Sequence, residues 1–161
     1  MIRLAQKEDL NEINAIYNDA VLAKFETADT EPISIEERLI WFEQHAKPYQ
    51  IYVYTKNNTV VAWLSFSPYR LGRKAVRFTA EISYYVHKNY QQKGIGSALI
   101  EFAIKEAKNL YFNNIFAIVL DKNIASINLL KKYHFMQWGH LPDIANFDGE
   151  ICGHLYYGLK V

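Results

Sequence analysis

Cysteine is almost missing from this sequence. Cys152 stands alone, which excludes an intrachain disulfide and a cluster of thiolate metal ligands. No apolar run approaches the about 20 residues that a membrane span requires. The opening residues, MIRLAQKEDL, carry charges too early for the apolar stretch of a signal peptide. An excess of one charge is lacking too, since 18 basic side chains nearly cancel 17 acidic ones. That balance gives no reason to expect nucleic acid or an acidic membrane as a partner. The expected setting is the cytoplasm. Seven glycines and four prolines are scattered, with no repeat and no low-complexity segment, so residues 1–161 read as one domain. The five histidines show no H-x-x-x-H spacing, and no metal is expected.

Apolar and aromatic residues are what the chain has in quantity. Half of it is hydrophobic, and twelve tyrosines and nine phenylalanines supply a dense core or interface. Residues 2–4 read as a short strand. From Leu10, the spacing of Ile13, Ile16, Tyr17, Ala20 and Val21 predicts a helix. Ser34 and Glu37 form a capping-box pattern at the head of a second helix carrying Ile35, Leu39 and Phe42. Strands are expected at 51–55 and 60–67, joined by the turn KNNT, and a third at about 78–86. An amphipathic helix starts at Gly94, and the all-apolar IFAIVL at 115–120 suits a strand covered on both faces. A short helix over 123–133 and strands near 135–140 and 154–160 complete the order β-α-α-β-β-β-α-β-α-β-β. The fold class is α/β (α+β), a mixed sheet with helices on both faces. Trp41, Trp63 and Trp138 are most simply core or dimer contacts, and Cys152 a small buried hydrophobe.

The stretch YQQKGIGSAL at 90–99 carries the first chemical signal. Free N–H groups at a helix start, aided by the helix dipole, favour phosphate. Gly94 and Gly96 let such a group come close to the backbone, and Lys93 adds charge beside it. Taken alone, the two glycines equally suit a tight helix entry chosen for its φ angles. A dinucleotide fingerprint fits poorly, because Leu99 holds the third glycine position, although Asp121 lies where a ribose-binding acid would stand. A P-loop is excluded by the order Lys93-Gly94.

The pattern Q-x-x-G-x-G at 91–96, behind a strand ending in YYV, resembles the acyl-CoA motif of the GNAT N-acetyltransferases. IYNDAV at 16–21, TADTEP at 27–32, WF at 41–42, TAEISYYV at 79–86 and NIAS at 123–126 resemble its phosphinothricin and methionine sulfoximine acetyltransferase branch. The resemblance spans nearly the whole chain. It implies a mostly antiparallel sheet that splays at the cofactor strand, acetyl-CoA as co-substrate, a small-molecule amine as acceptor, and a homodimer. By the same resemblance the backbone of Gln92, Lys93, Gly94, Ile95, Gly96 and Ser97 cradles the pyrophosphate. Tyr84, Tyr85 and Val86 then offer strand groups to the pantetheine arm, and Asn123 contacts the lower cofactor.

Acylating an amine requires its free base, so a proton acceptor is needed near the thioester. Glu81 stands where the family places its catalytic glutamate, on one strand face with Thr79, Ser83 and Tyr85. On spacing alone, a carboxylate there is more simply the partner of Arg77, and the motif context favours the base. A half-buried carboxylate should have a raised pKa. For the departing thiolate, many relatives carry Tyr or His where this chain has Leu130, which leaves Tyr133 or His134 as replacements. By the same resemblance Arg73, near Arg70, Lys74 and Arg77, falls in a stretch that contacts the acceptor, together with Glu81, Ile82 and Ser83. Each of the four basic residues, taken singly, is more simply part of a solvated loop. The family's G-x-W-x-D element departs here, with Ile151 and Gly153 in place of Trp and Asp. Two rival readings stand beside the favoured one: transfer to a polyamine, aminoglycoside or protein terminus, and a non-catalytic acyl-CoA-binding module.

Overall fold

Alternation along the second long strand sets the layout. In β3 (Thr59–Pro68), Ala62, Leu64 and Phe66 join one apolar cluster, while Trp63, Ser65 and Ser67 face the opposite side. A strand with an apolar set on each face must be covered twice, and helices supply both covers.

The computed structural model describes residues 1–161. Its elements follow the expected order: β1 (Ile2–Leu4), α1 (Leu10–Ala23), α2 (Ile35–Glu43), β2 (Ile51–Lys56), β3, β4 (Thr79–Val86), α3 (Ile95–Asn109), β5 (Asn114–Leu120), α4 (Ile124–Lys132), β6 (Met136–Phe147) and β7 (Glu150–Lys160). The seven strands form one sheet in the order β1-β2-β3-β4-β5-β7-β6. Every pairing is antiparallel except β4 with β5. Helix α1 packs on β3 and β4 from one side and α3 from the other. The α3 side holds the larger core, where Leu99, Ile100 and Ala103 are sealed against Leu64, Phe66 and Ile82. On the α1 side, Ile13 and Ile16 pack with Val53, Val60 and Trp63. No helix is long and apolar enough to cross a membrane.

Local chemistry accounts for most boundaries. Asn57 and Asn58 both adopt positive φ (50° and 62°) in the β2–β3 hairpin, as a twist-matched two-residue turn requires. At the head of α2, the Glu37 amide donates to Ser34 Oγ at 3.2 Å and the Ser34 amide to Glu37 Oε2 at 2.9 Å, the expected capping box.

Two features differ from the sequence expectation. The C-terminal strands are longer than 135–140 and 154–160, because Asp148-Gly149 (φ 54° and 96°) closes them into one hairpin. The inward residue of α2 is Arg38, at 4% exposure, whereas Ile35 is exposed. Of the two roles expected for Trp138, half exposure excludes the core, and its ring lies over Gly158, where an added Cβ would come within 2.1 Å of it. Trp63 and Cys152 are core residues as expected.

Candidate active site

Strands β4 and β5 pair only from Thr79↔Asn114 to Glu81↔Phe116. Beyond Glu81 they part, and backbone groups of Ile82–Val86 on that side have no strand neighbour. The gap opens into a cleft of about 340 Å³. One wall is β4 from Ile82 to Val86, the other Ala117–Val119 of β5, and the N-termini of α3 and α4 close the end.

The glycine motif forms that end. Helix α3 makes its first backbone bond from the Ala98 amide to the Gly94 carbonyl at 3.0 Å. The amides of Ile95, Gly96 and Ser97 therefore have no partner within the helix. The approach to it runs through positive φ at Gln92 (56°) and Gly94 (80°), and Gln91 Nε2 ties the loop to the Val86 carbonyl at 3.3 Å. The two glycines have different reasons. At Gly94 the backbone is left-handed with open space where a Cβ would stand, and at Gly96 an added Cβ would meet Leu129 Cδ2 at 3.0 Å. A cradle of free amides, with open room beside it, fits a pyrophosphate, and the unpaired edge of β4 fits the amides of a pantetheine arm.

Most of the residues expected at a cofactor line this cleft: Tyr84, Tyr85 and Val86 on the strand, Gln92, Gly94, Gly96 and Ser97 at the helix entry, and Asn123. Asn123 also caps α4 by accepting from the Ser126 amide at 3.1 Å. Two do not line it. Ile95 is buried in the α3 core, and the Lys93 ammonium donates to the Asn89 carbonyl at 2.8 Å and lies over the Tyr90 ring.

A second cavity of about 310 Å³ lies on the α1–α2 side of the same strand. Its sheet wall is the row of Trp63↔Tyr85, Ser65↔Ser83 and Ser67, while Glu81, paired with Ser67 on the same strand face, lines neither hollow. Tyr17, Arg38 and Trp41 close it from the helices. Ser83 and Tyr85 border both hollows, so only the thickness of β4 separates them. Burial pushes the Tyr85 phenol up to about 12.

Glu81 stands at the end of that row, beside Ser83 and opposite Ser67. It is half-buried, forms no ion pair, and burial raises its carboxyl above the usual range. Arg77 is no partner to it: the guanidinium donates to the Lys74 carbonyl at 2.7 Å and stacks on Phe78.

Other expected residues lie apart. Tyr133 ends α4 with its hydroxyl donating to Glu101 Oε1 at 2.6 Å, outside the cleft, and Leu130 is fully buried. Arg73 borders a separate hollow of about 110 Å³ with Arg70, Lys74 and Arg77. Ile151 and Gly153 border neither main cavity. Gly153 has no room for a side chain there, since a Cβ would lie 2.7 Å from the Leu141 carbonyl oxygen.

Sequence reasoning missed three groups. Glu26 lines the cleft, with its carboxyl raised by burial. Ser126 is hydrogen-bonded to the Tyr84 hydroxyl inside it, and burial pushes that phenol up to about 12. Arg38 is the third, and its spacing from Trp41 (i, i+3) was the available signal.

Residues 13–135 match the model of the acetyltransferase (GNAT) family. The chain belongs to that family. It is an N-acetyltransferase by family and by its named relatives. YwnH of Bacillus subtilis is 39% identical over 161 residues, covering 99% of this chain and 95% of that protein. The L-methionine sulfoximine/L-methionine sulfone acetyltransferase of Salmonella typhimurium is 32% identical over 145 residues, or 89% and 84% of the two chains. A crystal structure of a GNAT superfamily phosphinothricin acetyltransferase from Sinorhizobium meliloti, in complex with acetyl-CoA, superposes with a TM-score of 0.93 at 25% identity. It covers 100% of this chain and 88% of that one.

Proposed function

We propose that this GNAT enzyme transfers the acetyl group of acetyl-CoA to the primary amine of a small amino-acid-like acceptor, of the methionine sulfoximine or phosphinothricin kind. One observation carries the reading: Ser83 and Tyr85 border both the cofactor-shaped cleft and the second cavity, with Glu81 beside them. An acceptor in one hollow and a thioester in the other can meet across that strand. Related acetyltransferases that act on methionine sulfoximine, methionine sulfone and phosphinothricin supply the acceptor class.

When bound, acetyl-CoA supplies the acetyl group as a thioester that an amine can attack directly. The free amides from Gln92 to Ser97 hold its pyrophosphate, and the open edge of β4 from Tyr84 to Val86 orients its arm. Glu81 takes the proton that the amine must lose, directly or through one water. Its raised carboxyl range brings it nearer the proton affinity that such a base needs. The His87 amide donates to the Val61 carbonyl of β3, so alternation turns the Tyr85 amide toward β3 as well and the Tyr84 amide toward the parted side. The Tyr84 backbone N–H is assigned to the thioester oxygen. Tyr84 and Ser126 are the cleft hydroxyls available to protonate the departing sulfur, in place of Leu130. We assign the expected homodimer contact to the β6–β7 hairpin, where Trp138, Leu141, Ile144 and Ile151 stay exposed.

Release of free thiol from acetyl-CoA tests the proposal, with methionine sulfoximine, methionine sulfone, phosphinothricin, spermidine and kanamycin as acceptors. Turnover with the amino acids and none with the polycations is expected. Acetyl-CoA binding without thiol release for any amine would instead leave the non-catalytic module.

A further inference from the structure

The most deeply buried cation in the molecule is also its least satisfied one. Arg38 is 4% exposed, and of its three guanidinium nitrogens only Nε is hydrogen-bonded, to Asn14 Oδ1 at 3.2 Å. Nη2 has no partner, and neither has the buried Nε1 of Trp63. No carboxylate lies within ion-pairing distance of the guanidinium. It sits among aromatic rings instead, 4.3 Å from the centroid of Tyr17, 4.6 Å from Trp41 and 5.9 Å from Trp63. Those π faces offset part of the desolvation but supply no anion. Burial lowers its pKa, yet an arginine keeps its proton in a protein. A lasting positive charge with an unpartnered nitrogen of its own therefore stands in the wall of the 310 Å³ cavity, beside one further orphaned donor, Trp63 Nε1.

The acids of that cavity are already engaged. The Tyr17 hydroxyl donates to Asp29, and Glu37 serves the Ser34 amide and hydroxyl at the helix cap. His45, packed on Trp41, is held neutral by burial, with Arg38 also disfavouring its charge. What the cavity lacks is a carboxylate paired with Arg38.

We propose that Arg38 receives the α-carboxylate of the acceptor, with Trp63 Nε1 as a second donor, and so fixes the specificity of this acetyltransferase for amino acids. The inference rests on the reading above, in which the acceptor occupies this cavity. Trp63 and Tyr85 mark the Arg38 end of the row and Glu81 the other, four residues or roughly 13 Å along the strand. A small zwitterion and the two reaching side chains fill that span together. Its acid is held at one end and its amine turned toward Glu81.

Binding, measured apart from turnover, tests this. Methionine sulfone and its carboxamide, which differ only at the α-carboxyl, are titrated into the protein with desulfo-CoA present. Calorimetry is read alongside tryptophan fluorescence, because Trp41 and Trp63 flank the guanidinium. The wild type should favour the acid by about 10- to 100-fold, the range for a charge-assisted, two-pronged contact. Arg38→Met should abolish that preference by weakening the acid alone, and Arg38→Lys should restore part of it. Trp63→Phe keeps the packing and removes one donor, so it should reduce the preference severalfold, and it decides the matter with the wild type if Arg38→Met does not fold. Equal binding of acid and carboxamide by the wild type, no binding of the acid, or a preference unchanged in the variants would overturn the proposal. An Arg38-dependent preference without thiol release from acetyl-CoA would uphold it and refute catalysis instead.

Discussion

The two hollows flanking β4 are built on opposite plans. The cofactor cleft is made mostly of backbone: an unpaired strand edge, free helix amides and small residues that keep side chains out of the way. The second cavity is made of side chains, in which Tyr17, Trp41, Trp63 and Tyr85 enclose a single guanidinium. The difference matches what each must bind. A diphosphate and an amide-bearing arm offer repeating groups that main chain can meet, whereas a small acceptor is told apart from its neighbours only by placed charges.

Substitutions can break this contrast, and the largest effect belongs to the residue at the junction. Glu81→Gln should lower kcat by about a hundred- to ten-thousand-fold while leaving the acetyl-CoA Kd unchanged. In the wild type the rate should climb with pH through the raised carboxyl range of Glu81, because below it the group is protonated and accepts nothing. The glutamine variant should lack that limb. A pH–rate profile of unchanged shape would remove Glu81 from the base role.

A smaller effect should separate the hollows cleanly. Gly96→Val forces a branched side chain against Leu129, an overpacking of about 1–3 kcal/mol. It should raise the acetyl-CoA Kd roughly tenfold, equivalent to about 1.4 kcal/mol, while methionine sulfone binding stays within twofold. Loss of both affinities together would mean that the two sites do not have separate walls.

The smallest effect is expected at Tyr84→Phe, which removes the hydroxyl paired with Ser126 and nothing from the second cavity. A drop in kcat of roughly threefold to tenfold is expected, with the acceptor KM unmoved. That is below the about hundredfold effect typical of a positioned proton donor, because a thiolate leaves with little help. Since the phenol is pushed up to about 12, no basic limb from it should appear in the ordinary working range.

The contrast also explains what could be read from the chain. Apart from Glu26, the cofactor cleft draws on two short stretches, 82–97 and 117–129, so most of its determinants lie side by side in sequence and the glycines announce them. Burial of Glu81 followed from strand alternation alone. The second cavity collects α1, α2, β3 and β4, and no local pattern reports that Tyr17 and Tyr85 will touch rings at 5.0 Å. Arg38 was hidden for a physical reason. Periodicity assigns apolar residues to a helix's inner face, and here the aromatic enclosure lets a cation take that place while Ile35 stays outside. The hairpin ends were misjudged for a simpler one, since Asp148-Gly149 was an available turn signal.

Three residue pairs are all that join β1–β4 to the block formed by β5, β7 and β6. The sheet thus carries a built-in line of weakness that packing of α3 across β3, β4 and β5 must bridge. An arm seated between the parted strands would act as mortar as well as reagent, so the coenzyme should raise the melting temperature by the amount its affinity sets, with the gain in hydrogen-exchange protection concentrated along β4 and β5.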